Sequence, residues 1–359
     1  MTTIVKAADA AQFLSLIPRM LGFTPRQSLV LIPFDGTRSL GAMRFDLPDD
    51  DAVDRVAATV VGMACRVTDA DAIALVVYTD DPVAERPHAA FAAALESRAD
   101  ACGLHVNDAL WVTAGGWGRY GVDTAPGALT ELAHVGGDDQ TSGAELPAVR
   151  DEEIADVARA LDGFISAVHV LCGPDAAAAA PEDDDRVDPM ALAAVCALDD
   201  LPTLFEEMLD WDPTGLDPYR AATIAWVLAR PSLRDIALVQ WCAGMDAGDE
   251  ALDAQLRWES GEPYPPHLAM QMWGEGERPD PERLNRVLAL VRRAAATAPE
   301  PMRAGPLATA AWISWALGRS THADLYAMQA CEAEPEHGLA EIVRSFVGAG
   351  HLPDWAFRR

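Results

Sequence analysis

The first third of the chain alternates between helical and extended patterns of apolar residues. Helices that alternate with strands over about 120 residues predict a mixed α/β sheet layer. Gly22 follows the first helical pattern, and we expect it to end that helix at a positive φ with Phe23 buried against the helix. The predicted elements are, in chain order, a helix at 7–21, strands at 28–34 and 40–47 joined as a hairpin at Asp35-Gly36, a helix at 52–66, a strand at 72–78, a helix at 86–101, a strand at 104–113 and a short strand near 117–122.

The remainder of the chain is helical apart from two irregular segments. We expect a domain boundary at 173–189, because this segment combines an alanine run with acidic residues and has no aromatic residue. The sequence therefore predicts an α+β protein with an N-terminal mixed α/β sheet domain and an all-α domain of helical hairpins. The predicted parts are a sheet domain at 1–122, a loop or linker at 123–150, a connecting helix at 151–172, an acidic linker at 173–189 and the helical domain at 190–359.

Near the C-terminal end, the pattern is typical of a tetratricopeptide-type helix hairpin. Gly318, Ala323, Ala330 and Pro335 match the turn, second-helix and terminator positions, whereas the aromatic positions of the first helix are loosely met. A single match does not establish a repeat array, so we expect stacked helix hairpins. Eight of the ten tryptophans lie in this half, either as core side chains or as the lining of an aromatic groove.

The net charge of the chain limits the kinds of partner that it can bind, and its cysteines indicate the redox compartment. The chain carries 56 Asp and Glu against 27 Lys and Arg, a net charge of −29 that repels nucleic-acid phosphates and anionic lipid. No export signal and no apolar stretch of roughly 18 residues is found, so we expect a cytoplasmic protein without nucleic-acid or membrane partners. The six cysteines form no Cys-x-x-Cys pair, and we expect them as reduced thiols in the core.

The sequence contains few patterns that indicate a site. Residues 116–121 read G-x-G-x-x-G, but the following residues do not continue as a helix, which favours a glycine-rich hairpin over a dinucleotide site. The eight histidines have no close pair at ligand spacing, so neither a cofactor nor a metal is expected. No complete catalytic constellation is present, and catalytic residues stay unidentified.

Among the polar residues of the sequence, Arg44 and Asp46 are the strongest candidates for a pair with a specific role. At positions i and i+2 of a strand they share one face. They either form an ion pair that anchors the loop from Pro18 to Ser28, or line a ligand-binding cleft with Ser28 at the end of the sheet. Arg234 and Asp235 are adjacent at a helix start, which favours a capping and inter-helix salt bridge over a site.

The segment 18–48 carries a specific pattern, Pro-x-x-Leu-Gly-Phe-x-Pro-x-x-Ser-Leu-Val followed by Arg-x-Asp-Leu-Pro. With this pattern the chain resembles an actinobacterial domain-of-unknown-function family, number 4192. Arg234-Asp235 and the Trp-rich helices up to Pro335 extend the resemblance over nearly the whole chain. The residues that carry the first motif are Pro18, Leu21, Gly22, Phe23, Pro25, Ser28, Leu29, Val30, Arg44, Asp46, Leu47 and Pro48.

The resemblance implies fold boundaries and no particular activity. Members carry a Trp-Ser-Tyr stretch with nearby cysteines, where this chain has Trp117-Gly118-Arg119-Tyr120 and no following cysteine, so no metal or thiol role is carried over.

Two functional hypotheses follow from the sequence. The leading one is a non-enzymatic protein-interaction or scaffold module that binds a protein partner through residues 190–359. The alternative is an enzyme or small-ligand sensor with a polar cleft near Ser28, Arg44 and Asp46. A third hypothesis is that the acidic surface mimics nucleic acid toward a basic partner. The oligomeric state is left open.

Overall fold

The computed structural model describes residue 7 and residues 9–82, 86–133, 137–173 and 187–358. The chain divides into two compact units. Unit 1 comprises Met1–Gly143 together with Phe357–Arg359, and unit 2 comprises Ala144–Ala356. The acidic linker expected at 173–189 lies outside the described residues except at its two ends.

Unit 1 is a mixed sheet with helices on both faces. The strands lie in the order β2-β1-β4-β5-β6, with β3 also paired to β1. Only the pairing of β4 with β5 is parallel among these strands, and α3 connects the two. The elements of unit 1 are α1 (Ala10–Leu21), β1 (Ser28–Asp35), β2 (Arg38–Ser39), β3 (Met43–Asp46), α2 (Val53–Ala64), β4 (Ala72–Tyr78), α3 (Ala89–Ala101), β5 (His105–Thr113) and β6 (Gly116–Arg119).

Alternate residues of the central strands face opposite layers. Leu29 and Leu31 of β1 belong to the cluster formed with α2 and α3, while Val30 and Ile32 belong to the cluster formed with α1. Because both faces are covered, the central strands are continuously apolar instead of alternating with polar residues. All seven residues of β4 are buried, as expected for the centre of such a sheet.

Most predicted elements of unit 1 are confirmed, with three corrections at their boundaries. The predicted strand at 40–47 is shorter in the structure: β3 covers only Met43–Asp46, and Gly41, at φ +136°, lies between β3 and β2, which ends at Ser39. The helix predicted from residue 86 begins after His88, whose φ of +56° is incompatible with a helical turn. The first helix begins at Ala10 instead of residue 7, because the Asp9 side chain caps it by accepting the Gln12 N–H.

Gly22 adopts the conformation that the sequence predicts. Its φ is +84°, and its N–H donates to the carbonyl oxygen of Pro18 over 2.8 Å. A left-handed residue at this position ends α1 and turns the chain toward β1. Phe23 is half-buried instead of fully buried, so this part of the expectation is met only partly.

Unit 2 is all-helical within the described residues, which confirms a helical C-terminal half. The helices are α4 (Asp151–Cys172), α5 (Pro189–Cys196), α6 (Leu201–Glu207), α7 (Pro218–Leu228), α8 (Pro231–Ala243), α9 (Met245–Glu259), α10 (Pro266–Met272), α11 (Pro281–Thr297), α12 (Glu300–Ala316), α13 (Ser320–Ala333) and α14 (Gly338–Gly348).

A helix hairpin forms near the C-terminal end of unit 2. Gly318, at φ +78°, lies in the turn between α12 and α13, which pack closely together. Ala323 and Ala330 are fully buried in α13, where small side chains permit this approach. Pro335 follows the last residue of α13 by two positions.

The aromatic core of unit 2 collects around α12. Trp312 and Trp315 are fully buried, and Trp315 packs against Phe346, Trp355 and His351. These contacts identify several of the C-terminal tryptophans as core side chains.

The cysteine expectation is wrong for most of the cysteines. Cys242 is buried and Cys331 is half-buried, whereas the others are exposed. The exposed cysteines are Cys65, Cys102, Cys172 and Cys196. Each of these four lies at or next to the end of a helix, where the helical apolar pattern no longer implies burial.

Candidate functional site

The structure brings Ser28, Arg44 and Asp46 together on neighbouring strands. β1 and β3 are antiparallel, with Ser28 opposite Asp46 and Val30 opposite Arg44. The Arg44 Nε donates to the Ser28 hydroxyl over 2.7 Å, and the Arg44 Nη2 pairs with the Asp46 carboxylate. The Arg44 side chain is 13% exposed, whereas that of Asp46 is 83% exposed.

This cluster is connected to the segment that precedes β1. The Ser28 hydroxyl donates to the carbonyl oxygen of Arg26 over 2.5 Å, and the Arg26 N–H donates to the Gln140 side chain. Thr24 donates its N–H to the carbonyl oxygen of Asp138 over 2.8 Å. Ser28 and Arg44 tie the end of the turn after Gly22 to the sheet, and the other two contacts tie this turn to the segment at 138–140. The geometry fits the anchoring interpretation. A ligand-binding role for Ser28, Arg44 and Asp46 stays a prediction.

Two surface depressions lie elsewhere. One, of about 380 Å³, is in unit 1 and is lined by Gln12, Ser15 and Arg19 of α1 and by residues 130–133. The other, of about 180 Å³, is in unit 2 and contains the Glu206–Arg283 ion pair. Ser28, Arg44 and Asp46 line neither depression.

The G-x-G-x-x-G segment forms a hairpin. Gly116 and Gly118 belong to β6, which pairs antiparallel with β5, and no helix begins there. A Cβ on Gly118 would lie 2.3 Å from the Trp111 ring, so this glycine lets the indole pack flat on the strand. The spacing is therefore explained by packing.

In unit 2, Arg234 and Asp235 form a salt bridge with each other near the start of α8, whereas the sequence predicted a capping and inter-helix salt bridge. The Arg234 Nε and Nη2 contact the same carboxylate oxygen at 2.9 and 2.8 Å. The Arg234 side chain is buried, while the Asp235 carboxylate keeps a partly exposed edge. Desolvation by the surrounding protein nevertheless raises the pKa of Asp235, and it outweighs the opposing effects of Arg234 and His337.

His337 and Tyr264 join this cluster, and sequence reasoning missed both. Burial lowers the pKa of His337, with Arg234 acting in the same direction and Glu334 and Asp235 opposing it. Burial raises the pKa of Tyr264, as do Asp235 and Glu250. The sequence feature that could have identified His337 is its position one residue before α14. There it caps the helix, because its Nδ1 accepts the Ala340 N–H over 3.4 Å.

We expect His337→Asn to remove a pH dependence of stability while keeping the helix cap. A histidine whose pKa is lowered on folding binds fewer protons in the folded than in the unfolded state. The stability that this histidine contributes is fully present at pH values above its ordinary pKa of about 6.5. This stability is lost as the pH falls toward the pKa of the folded state. The wild-type free energy of unfolding should therefore fall relative to that of the variant between about pH 7.5 and pH 5.5. Urea unfolding at several pH values measures this difference, and a difference that does not change with pH contradicts the expectation.

A second ionic group connects α6, α8 and α11. Arg283 donates to both carboxylate oxygens of Glu206, at 2.6 and 2.5 Å, and its Nε donates to the Trp241 carbonyl oxygen over 3.2 Å. Hydrogen bonding from Arg283 is the main cause of the lowered pKa of Glu206. The Gln240 amide completes the group by donating to Glu206 and to the carbonyl oxygen of Pro202. These contacts have a structural role, since they satisfy polar groups between packed helices.

The outer face of α9 presents an unusual combination of apolar and acidic residues. Met245, Leu252 and Leu256 are spaced at i, i+7 and i+11 and therefore share one face of the helix. Leu256 is 58% exposed, Met245 is also exposed, and Leu252 is half-buried. We call these three residues the α9 stripe.

Acidic residues border the α9 stripe on one side. Asp246, Asp249 and Asp253, spaced at i, i+3 and i+7, lie along the adjacent face and are all exposed. Residues 245–262 carry six carboxylates against a single arginine, Arg257. The surface therefore combines an apolar strip about three turns long with negative charge along its edge.

The opposite face of α9 packs into the helical core through small residues. Gly248, Ala251 and Ala254 are buried. A Cβ on Gly248 would lie 2.1 Å from the Gln240 Oε1, so α9 approaches α8 as closely as a glycine allows. The stripe is thus held on a well-packed helix.

Within the described ranges, His, Cys, Asp and Glu side chains form no group of three arranged to hold a metal ion. Among the same residues, no helix combines the length and apolarity that a bilayer crossing requires.

A family model described as "Domain of unknown function (DUF4192)" matches residues 11–354. No curated protein and no solved structure matches the chain.

Proposed function

We propose that this protein, which belongs to the DUF4192 family of domains of unknown function, is a non-enzymatic protein-interaction module that binds its partner through unit 2. The observation that carries this proposal is the α9 stripe. Large apolar side chains aligned on one exposed helix face are typical of docking surfaces, because their contact with water is unfavourable until a partner covers them.

The chemistry of the surface specifies the kind of partner. An apolar strip of about 16 Å matches one face of an amphipathic helix of three turns. The carboxylates of Asp246, Asp249 and Asp253 favour Lys or Arg along one edge of that helix. We therefore propose that the occupant is a basic amphipathic helical segment of another protein.

The proposal includes three finer features. Unit 2 stacks its helix hairpins in a tetratricopeptide-like manner, which the Gly318 turn and the buried Ala323 and Ala330 support. The protein acts in the cytoplasm, and its origin is actinobacterial, as the sequence resemblance implies. The net charge of −29 supports a partner that is neither nucleic acid nor an anionic membrane.

We expect the full-length protein to bind a fluorescein-labelled amphipathic peptide of leucine and lysine, measured by fluorescence anisotropy at physiological salt. Leu256→Ser should weaken binding about tenfold, because one buried leucine side chain contributes roughly 1.5–3 kcal/mol. Asp249→Lys combined with Asp253→Lys should weaken binding by a similar factor and reduce its salt dependence.

Two controls separate docking on α9 from general attraction to an acidic protein. Met328→Ser, on an exposed apolar residue of α13, should leave the affinity unchanged. A peptide with glutamate in place of lysine should not bind. The proposal is contradicted if Leu256→Ser and Met328→Ser lose the same affinity for the basic peptide, or if this peptide does not bind to the protein.

The alternative function, an enzyme or small-ligand sensor at Ser28, Arg44 and Asp46, stays a prediction. In its favour, the three side chains lie together on β1 and β3.

A further inference from the structure

Two exposed cysteines lie side by side in unit 1. Cys65 immediately follows α2 and Cys102 immediately follows α3, so each is the C-terminal cap residue of its helix. α2 and α3 pack against each other over the same face of the sheet. The two thiols share a side-chain hydrogen bond.

The position of this pair distinguishes it from the other cysteines. Cys172, Cys196, Cys242 and Cys331 all belong to unit 2. Cys65 and Cys102 are far apart along the chain, and only the packing of α2 on α3 brings their side chains together. Both are exposed, so an oxidant in solution reaches them directly.

We propose that Cys65 and Cys102 are a redox modification site, at which a peroxide converts the two thiols into an intramolecular disulfide. The thiolate of one cysteine attacks hydrogen peroxide, the O–O bond breaks, and this cysteine becomes a sulfenic acid as water is released. The sulfur of the other cysteine then attacks the sulfur of the sulfenic acid, and a second water leaves with the proton of the attacking thiol. In total, two thiols and one hydrogen peroxide give one disulfide and two waters.

The two cysteines act as a pair. Partial burial is the main cause of a raised pKa for the Cys65 thiol, and the neighbouring Cys102 adds to it. Whichever sulfur is oxidised first therefore has the other cysteine beside it as the partner of the disulfide.

The local backbone permits the bond. A disulfide brings its sulfurs to about 2.05 Å, which requires an adjustment from hydrogen-bonding distance. Both cysteines lie at helix ends, where few intrahelical hydrogen bonds restrain the chain. Gly103, at φ +77°, directly follows Cys102 and ends the α3 segment.

The test treats the reduced full-length protein with a small excess of hydrogen peroxide and maps the peptides by mass spectrometry without reduction. We expect a peptide that joins Cys65 to Cys102, lighter by about 2 Da than the two thiol peptides, and its loss after treatment with dithiothreitol. The bond should form at least about tenfold faster than oxidation of the exposed Cys196, which serves as an internal control.

Variants distinguish the proposed pair from random oxidation. With Cys65→Ser or Cys102→Ser, the remaining cysteine of the pair should accumulate as a sulfenic acid that dimedone traps, because no partner thiol resolves it. Cys196→Ser should leave formation of the disulfide unchanged. The proposal is overturned if Cys65 and Cys102 remain thiols while Cys196 oxidises, if either pairs with a cysteine of unit 2, or if neither single variant yields a trapped sulfenic acid.

Discussion

Replacing Trp315 by alanine is expected to lower the free energy of unfolding of unit 2 by about 4 kcal/mol, the range found when large aromatic side chains are removed from cores. The indole is fully buried and contacts the rings of Trp312, Phe346 and Trp355. Its Nε1 also donates to the carbonyl oxygen of His351 over 2.7 Å, an acceptor that alanine would leave without this partner.

Urea unfolding followed by far-ultraviolet circular dichroism measures this loss without relying on tryptophan fluorescence. Trp258→Ala is the matched control, because Trp258 is 55% exposed at the end of α9. Its removal should change stability by less than about 0.5 kcal/mol. Similar losses for the two variants would show that the cluster around Trp315 is not the core of unit 2.

Gly305→Ala is expected to destabilise unit 2 by about 2 kcal/mol, although alanine favours helices more than glycine does. A Cβ at this position of α12 would lie 2.5 Å from the carbonyl oxygen of Leu228 and 2.6 Å from its carbonyl carbon. Both atoms are backbone at the end of α7, so the helices must separate to admit a methyl group. Contacts on either side of the crossing are then weakened.

Gly348→Ala provides the control in the same unit, since Gly348 is helical and a Cβ there would meet open space. Its stability should stay within about 0.5 kcal/mol of wild type. If Gly305→Ala were as stable as this control, the close crossing of α12 over α7 would not be required by the fold.

The same close packing supports the proposed docking surface. Gly248, Ala251 and Ala254 hold α9 against the core, so Met245, Leu252 and Leu256 are presented on an ordered helix. A partner that binds this surface need not order α9, and more of its binding energy is retained as affinity.

The sequence determined those features that depend on neighbours along the chain. The strand at 72–78 was located because seven consecutive residues are apolar and flanked by turn residues. Asp217 and Asp280 each precede a proline, which is the sequence pattern of a helix N-cap, and both accept backbone N–H groups at the start of α7 and α11. Gly22 ends α1 for the same local reason. Such features follow from the hydrogen bonds and backbone angles of a few adjacent residues.

Tertiary structure decided what depends on contacts between distant segments. The Glu206–Arg283 pair joins α6 to α11, and Cys65 meets Cys102 because α2 packs on α3. The apolar pattern predicts which face of a helix turns inward, but it does not predict which charged group of another helix lies against that face. It also does not predict whether a residue at the end of a helix is buried by a neighbouring element. Likewise, Leu252 and Leu256 both match a core pattern, yet Leu252 is half-buried against the helical core and Leu256 is exposed. These outcomes depend on how whole elements pack, because burial and ion pairing are set by atoms that lie close in space and far apart along the chain.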